Sequence, residues 1–261
     1  MRGRKDLYII AYRGGEVQRD FARDGAEICY IYYMIFTDTG IVLLRQDFRE
    51  ADRIAALYTL QHGRINLRFP GVNRAKGKLK ALSEPFACAA YRVYVRGGSA
   101  MGTVTGGKIE TVFPSIHHSL KRQITAMHCC ELMMRLTPQR QPSPGKYRLL
   151  LQALTELDYA DPTPAFVPAF TLRLMAEAGF GLDHPVLQIS PEFWKKMHED
   201  AFSSLNFTEA EDLLSLAKCN EVCRRFLNQY LTFPLKTLQP FTLAPEDVPA
   251  ARPALVKTPA L

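Results

Sequence analysis

No apolar run in this 261-residue sequence approaches the roughly 20 residues of a transmembrane helix, so a helical membrane protein is not expected. Nothing near the start resembles a secretory signal. Cysteine is sparse, with six residues at 29, 88, 129, 130, 219 and 223 and no close even spacing. That argues against a disulfide framework and for reduced thiols in a cytoplasmic protein. Cys219 and Cys223 stand four residues apart on an expected helix, but zinc normally needs four ligands, and His184 and His198 are scattered. Catalytic signatures are also missing: no Walker-type phosphate loop, no G-x-S-x-G elbow and no H-E-x-x-H. Metal-dependent nucleases need clustered acids. Here Asp47, Glu50 and Asp52 alternate with arginines in a turn and read as surface ion pairs. No catalytic residue, metal or cofactor is expected; a binding protein is.

Charge is what the sequence has in excess, and it is unevenly placed. The net charge is +7. Residues 34–150 hold 18 cations against 7 anions, whereas residues 151–261 hold 9 against 14. A basic half of this kind suits a polyanionic partner.

The basic half is patterned for strands. Residues 41–44 are an apolar run, residues 45–53 a charged connection, and residues 54–60 a second apolar run ending at Gln61-His62-Gly63. Ile65, Leu67 and Phe69 then alternate with Arg64, Asn66 and Arg68, as in a half-buried hairpin strand. Arg74, Lys76, Lys78 and Lys80 follow on alternate positions between Gly71 and Leu82. Tyr91, Val93 and Val95 alternate with Arg92 and Arg96, Gly97-Gly98 and Gly106-Gly107 mark turns, and strands are expected at 102–105 and 109–113. About five short strands with glycine turns fit an OB-like or an SH3-like barrel. Arg64, Arg68, Arg74, Lys76, Lys78 and Lys80 are the expected phosphate contacts, extended by Arg92 and Arg96. No aromatic is an obvious base-stacking group: Phe69 alternates inward, and Tyr91 and Tyr94 read as core.

From Ser119 the period becomes helical, with Leu120, Ile124, Met127 and Met134 on one face and Lys121 and Arg122 at its solvent side. Pro142 and Pro144 break this region, and helices follow over 147–157 and 165–178. Ser190-Pro191 opens another helix, and Thr208-Glu209-Ala210-Glu211 reads as a capping box for a long last helix limited by Pro234. Proline-rich residues 239–261 are expected to be disordered.

Taken together and in order, TDTGIVL at 37–43, DFREADR at 47–53, His62-Gly63, Gly71 with the basic run, EPF at 84–86, and RRFLNQYLTFPLKTLQPF at 224–241 resemble the RecO family of bacterial DNA repair proteins. The resemblance implies an α+β chain: an OB barrel at 34–114 and an all-α domain at 115–238, with 1–33 a loosely ordered extension. The rival reading of that extension is an added strand over 27–35. Many family members carry a four-cysteine zinc module after the helix that here ends near Gly181; Gly181-Leu182-Asp183-His184-Pro185 has none of it.

The resemblance also implies a function. Proteins of this family are recombination mediators in the cytoplasm, associated with the nucleoid. They bind single- and double-stranded DNA, anneal complementary strands, engage the acidic C-terminal tail of single-strand-binding protein (SSB), and work with RecR, and in some cases RecF, to load recombinase. Lys121, Arg122 and Arg135 are the expected contacts for the SSB tail. An RNA-binding OB protein and a pure protein adaptor remain as alternatives.

Overall fold

The computed structural model describes residues 9–12, 31–74, 77–96, 99, 101–180, 189–231, 235 and 237. Lys76, His184 and the proline-rich stretch 239–261 lie outside them.

Among the described residues six strands come first: β1 (Ile9–Tyr12), β2 (Ile31–Phe48), β3 (Asp52–Thr59), β4 (Gly63–Phe69), β5 (Cys88–Arg96) and β6 (Gly102–Thr111). Pairing runs β2–β3–β4–β6–β5 and returns from β5 to β2, which closes a five-stranded OB-like barrel. The β4–β6 pair is parallel and the other barrel pairs are antiparallel. Closure removes the exposed edges that an open sheet would carry.

The 18 residues of β2 make closure possible. Its first part pairs with β5, from Tyr33 opposite Arg96 to Ile41 opposite Cys88, and its last part pairs with β3. Gly40 sits where both partners meet. A Cβ there would lie 2.7 Å from the Thr59 methyl group, so only glycine lets the three strands coil this tightly.

Two strand expectations change. Gly106-Gly107 does not make a turn, because β6 runs unbroken from Gly102 to Thr111. The register instead shifts between Arg92 and Val93, opposite this stretch, and a Cβ on Gly107 would lie 2.6 Å from the Ala90 carbonyl oxygen. The glycines serve a bulge and a close backbone approach. Within residues 1–33, β1 lies parallel to residues 31–34 of β2. Residues 31–35 of the strand expected over 27–35 form the start of β2, where residues 33–35 pair with β5 of the barrel, and a further strand, β1, precedes them. The rest of 1–33 lies outside the described residues.

Among the described residues five α-helices follow: α1 (Leu120–Leu136), α2 (Pro144–Tyr159), α3 (Phe166–Glu177), α4 (Pro191–Glu199) and α5 (Ala210–Tyr230). Ser119, Ser143 and Ser190 cap the first, second and fourth through their hydroxyls. Pro144, expected as a breaker, is instead the first residue of α2, where its missing N–H costs nothing. The expected capping box does not form: Glu209 is the N-cap of α5 without a side-chain bond. Glu211 and Asp212 in the first turn stabilise that end through the helix dipole.

The expected apolar face of α1 is only partly covered: Ile124 and Met134 are half-buried, and Met134 packs against the helical core. Leu120 and Met127 are exposed, whereas Ala126, Cys129, Cys130, Leu132 and Met133 are buried. Small side chains at 126, 129 and 130 let α1 pack closely against its neighbours, and Leu132 and Met133 fill the core beside them.

One core fills the barrel, with Val42, Leu57, Leu67, Phe69, Tyr91 and Val93. A second core belongs to the helices, but Ile41, Leu43, Tyr58, Phe86 and Cys88 of the barrel are part of it. Strand alternation explains this. Odd positions of β2 and even positions of β5 face out of the barrel, and at Ile41, Leu43 and Cys88 that outer face is covered by the helical domain. Cys88 Sγ lies 3.5 Å from the Tyr147 hydroxyl across the junction. Gly63, with φ of 65°, turns the β3–β4 hairpin beneath Gln141 of the helical domain.

Candidate nucleic-acid interface

The His62-Gly63 turn is fixed from below. Asp38 is buried, and its carboxylate accepts from the backbone N–H of Gln61 and of His62, both at 3.1 Å. The His62 ring nitrogen Nδ1 is 2.7 Å from the same carboxylate, and the ring packs on Phe36.

The acids that sequence reasoning assigned to surface pairs tie down the basic loop after β4. Asp52 accepts from the Gly71 N–H at 2.9 Å and pairs with Arg68 at 2.6 Å. The Gly71 N–H and then the Arg68 guanidinium hold the Asp52 carboxyl below its ordinary range. Asn73 N–H donates to the Ala51 carbonyl at 3.0 Å. On the other side Arg53, only 5% exposed, donates to the Ser83 hydroxyl at 2.8 Å and pairs with Glu84 and Asp47. The loop is thus anchored at both ends, and its middle presents Arg74, Lys78 and Lys80 to solvent.

The expected phosphate contacts divide into two groups. Arg74, Lys78, Lys80, Arg92 and Arg96 are exposed, and among the described residues none of them has an ion-pair partner. Arg64 and Arg68 are engaged. Arg64 Nε donates to the Thr137 carbonyl at 2.9 Å and bridges barrel to helical domain; burial lowers its pKa. Arg68 is neutralised by Asp52. Lys76 lies outside the described residues.

The three cations expected to serve an acidic peptide do not converge. Lys121 is exposed at the start of α1. Beside it, Arg122 pairs with Asp161 at 2.6 Å and donates to the Asp158 carbonyl at 2.9 Å. Arg135 is at the other end of α1, about 20 Å from Lys121 at 1.5 Å rise per residue, with Glu131 3.9 Å away.

Sequence reasoning missed an aromatic pair. Tyr91 is core, its hydroxyl 3.0 Å from the Leu82 carbonyl. Tyr94 is not: it faces outward, half-buried, with its ring centroid 5.6 Å from that of Tyr33. The odd–even alternation that turns Tyr91 inward could have shown that Tyr94 faces the same way as Arg92 and Arg96.

Two family profiles match this chain: "Recombination protein O N terminal" over residues 34–113 and "Recombination protein O C terminal" over residues 117–184. The chain belongs to the RecO family. The first RecO match coincides with the barrel from β2 to β6, and the second covers α1 to α3. A DNA repair protein RecO of Geobacter metallireducens is 34% identical over 147 residues, 56% of this chain and 59% of that protein. One from Listeria monocytogenes is 28% identical over 140 residues, 54% of each chain. The match to a Geobacter sulfurreducens RecO is 32% identical over 143 residues, 55% of this chain and 58% of the relative. The chain thus spans a little over half the length of the curated RecO proteins it matches. Among the described residues, no three His, Cys, Asp or Glu side chains come together as a metal site, and no helix is long and apolar enough to cross a membrane. Cys219 and Cys223 are both buried in the helical core, where burial pushes their thiols up, to about 12 for Cys219.

Proposed function

We propose that this chain binds single- and double-stranded DNA through its barrel and acts in DNA repair as a recombination mediator. The observation that carries the reading is the cationic set Arg74, Lys78, Lys80, Arg92 and Arg96, exposed and unpaired among the described residues on an OB-like barrel. Lys76 belongs to the same run in sequence and joins it in this reading. The relatives described above, each a DNA repair protein RecO, support it. Arg64 and Arg68 act by holding the β4 strand and the loop base rather than as independent phosphate contacts.

The chemistry required is screening. Two complementary strands repel through their phosphates, and a fixed array of cations lowers that repulsion without breaking any bond. The chain therefore binds and anneals rather than cleaves. On this reading it engages the acidic SSB tail through Lys121, with the exposed Leu120 and Met127 beside it as an apolar seat. Arg122 supports the helix start through Asp161, and Arg135 lies too far along α1 to join the same tail end. RecR, and with it RecF, are the partners with which it helps load recombinase on SSB-coated DNA.

The test is strand annealing on SSB-coated oligonucleotides, with the full chain and with Lys121→Glu. Accelerated annealing that Lys121→Glu reduces supports the reading. Absence of both DNA binding and annealing at low salt contradicts it.

A further inference from the structure

Arg92, Tyr94 and Arg96 follow one another at every second position of β5, so all three project from the outer face of the barrel. Tyr33, Ile35 and Thr37 of β2 stand directly opposite Arg96, Tyr94 and Arg92. The rings of Tyr33 and Tyr94 meet diagonally across the two strands, with an interplanar angle of 36°. Ile35, 42% exposed, stands directly opposite Tyr94. On the neighbouring strand Lys108 stands opposite Ala90 and is exposed. The carboxylate of Glu110 is turned to the Thr39 hydroxyl at 3.3 Å, on the helical-domain side of Arg92.

This arrangement is unusual for a solvated sheet face. Further along the same two strands, the outward positions are Ile41, Leu43 and Cys88, and the helical domain covers them. Beyond that cover the same face remains aromatic and gains cations. Simple solvation would favour polar side chains at 33, 35 and 94. Arg92 and Arg96 are about 13 Å apart along the strand, with Tyr94 midway between them.

Resting on the DNA-binding reading above, we propose that Tyr33 and Tyr94 form a base-stacking platform that takes single-stranded DNA in preference to duplex. Arg92 and Arg96 contact the phosphates on either side of the stacked base. With the rings 5.6 Å apart there is no room for a base between them, so it lies on their outward faces. A duplex hides its base faces within its own stack and can use only the arginines. The platform thus adds strand discrimination to a basic loop that treats both forms alike. Tyr33 stands one residue before the segment matched by the family profile, which starts at residue 34.

The test uses the full chain and measures affinity for oligo-dT, for oligo-U and for a duplex of equal length. The variants are Tyr33→Leu, Tyr94→Leu, their combination, and Tyr94→Phe. The double variant should lose roughly 5- to 100-fold in oligo-dT affinity, with duplex affinity and salt dependence unchanged. Tyr94→Phe should bind like the parent. Should a leucine variant unfold, photocrosslinking of parent protein to 5-iododeoxyuridine DNA decides instead, with crosslinks expected at Tyr33 or Tyr94. Equal losses on oligo-dT and duplex, no loss on either, or crosslinks only elsewhere would overturn the platform. Tighter binding of oligo-U than of oligo-dT would overturn its assignment to DNA. A parent protein that binds no nucleic acid would instead defeat the DNA-binding reading itself.

Discussion

Arg68 and Asp52 form an ion pair at 2.6 Å, and the same carboxylate also takes the Gly71 N–H that begins the basic loop. One acid thus neutralises a cation on β4 and fixes the origin of the loop that carries Arg74, Lys78 and Lys80. The two cations of β4, Arg64 and Arg68, are structural, whereas those of the loop that follows and of β5 have no ion-pair partner among the described residues.

Asp52→Asn separates these roles. It removes the charge that neutralises Arg68 while keeping the side chain's shape. The log–log salt dependence of single-stranded DNA binding should steepen by about 0.7, the contribution of one further phosphate contact. Amide exchange at Gly71 and Asn73 should accelerate as the loop base loosens. An unchanged slope would show that Arg68 already contacts DNA in the parent protein.

Arg64 supports the junction rather than the ligand. Replacing it with methionine leaves the Thr137 carbonyl without its donor and should cost about 1 kcal/mol of stability. Chemical denaturation measures that loss, and the salt slope of DNA binding should stay as in the parent.

Arg173 of α3 is buried within the helical domain. It donates to the Met197 and Asp200 carbonyls, at 2.9 and 2.5 Å, with its guanidinium 4.3 Å above the Phe202 ring. It ties α3 to the end of α4. Arg173→Ala should cost about 3 kcal/mol, because two carbonyls and a packed aromatic lose their partner together. The expected readout is a lowered denaturation midpoint with DNA affinity per folded molecule unchanged.

His128 on α1 is fully buried, and its Nδ1 is 2.7 Å from the Thr237 hydroxyl. Burial lowers its pKa to about 4 from an ordinary 6.5. The unfolded chain therefore takes up a proton near 6.5 that the folded chain accepts only near 4. Stability from this group is complete above pH 6.5 and falls as pH drops towards 4, by up to about 3 kcal/mol. His128→Gln should flatten the pH dependence of Tm in that window.

The barrel was legible because its alternation is strong: Ile65, Leu67 and Phe69 face inward as their spacing demands. Period alone could not show which partner covers the other face. For that reason Tyr94 read as core although its strand emerges from beneath the helical domain before reaching it. The same limit applies to α1. Leu120 and Met127 share the expected apolar face yet are exposed, because the neighbouring elements cover Ala126, Cys129, Cys130, Leu132 and Met133 instead. The basic residues were all found by charge. Their division into free and engaged depends on Asp52 and Thr137, which are distant in sequence from the cations they hold.

The most direct test of the central claim is the salt dependence of single-stranded DNA binding by the parent and by the combined Arg74→Glu, Lys78→Glu and Lys80→Glu variant. The account predicts a parent slope of about −3 or steeper, and a variant slope shallower by about 2, with affinity lost at every salt concentration. A flat parent slope, or a variant that binds like the parent, would contradict it.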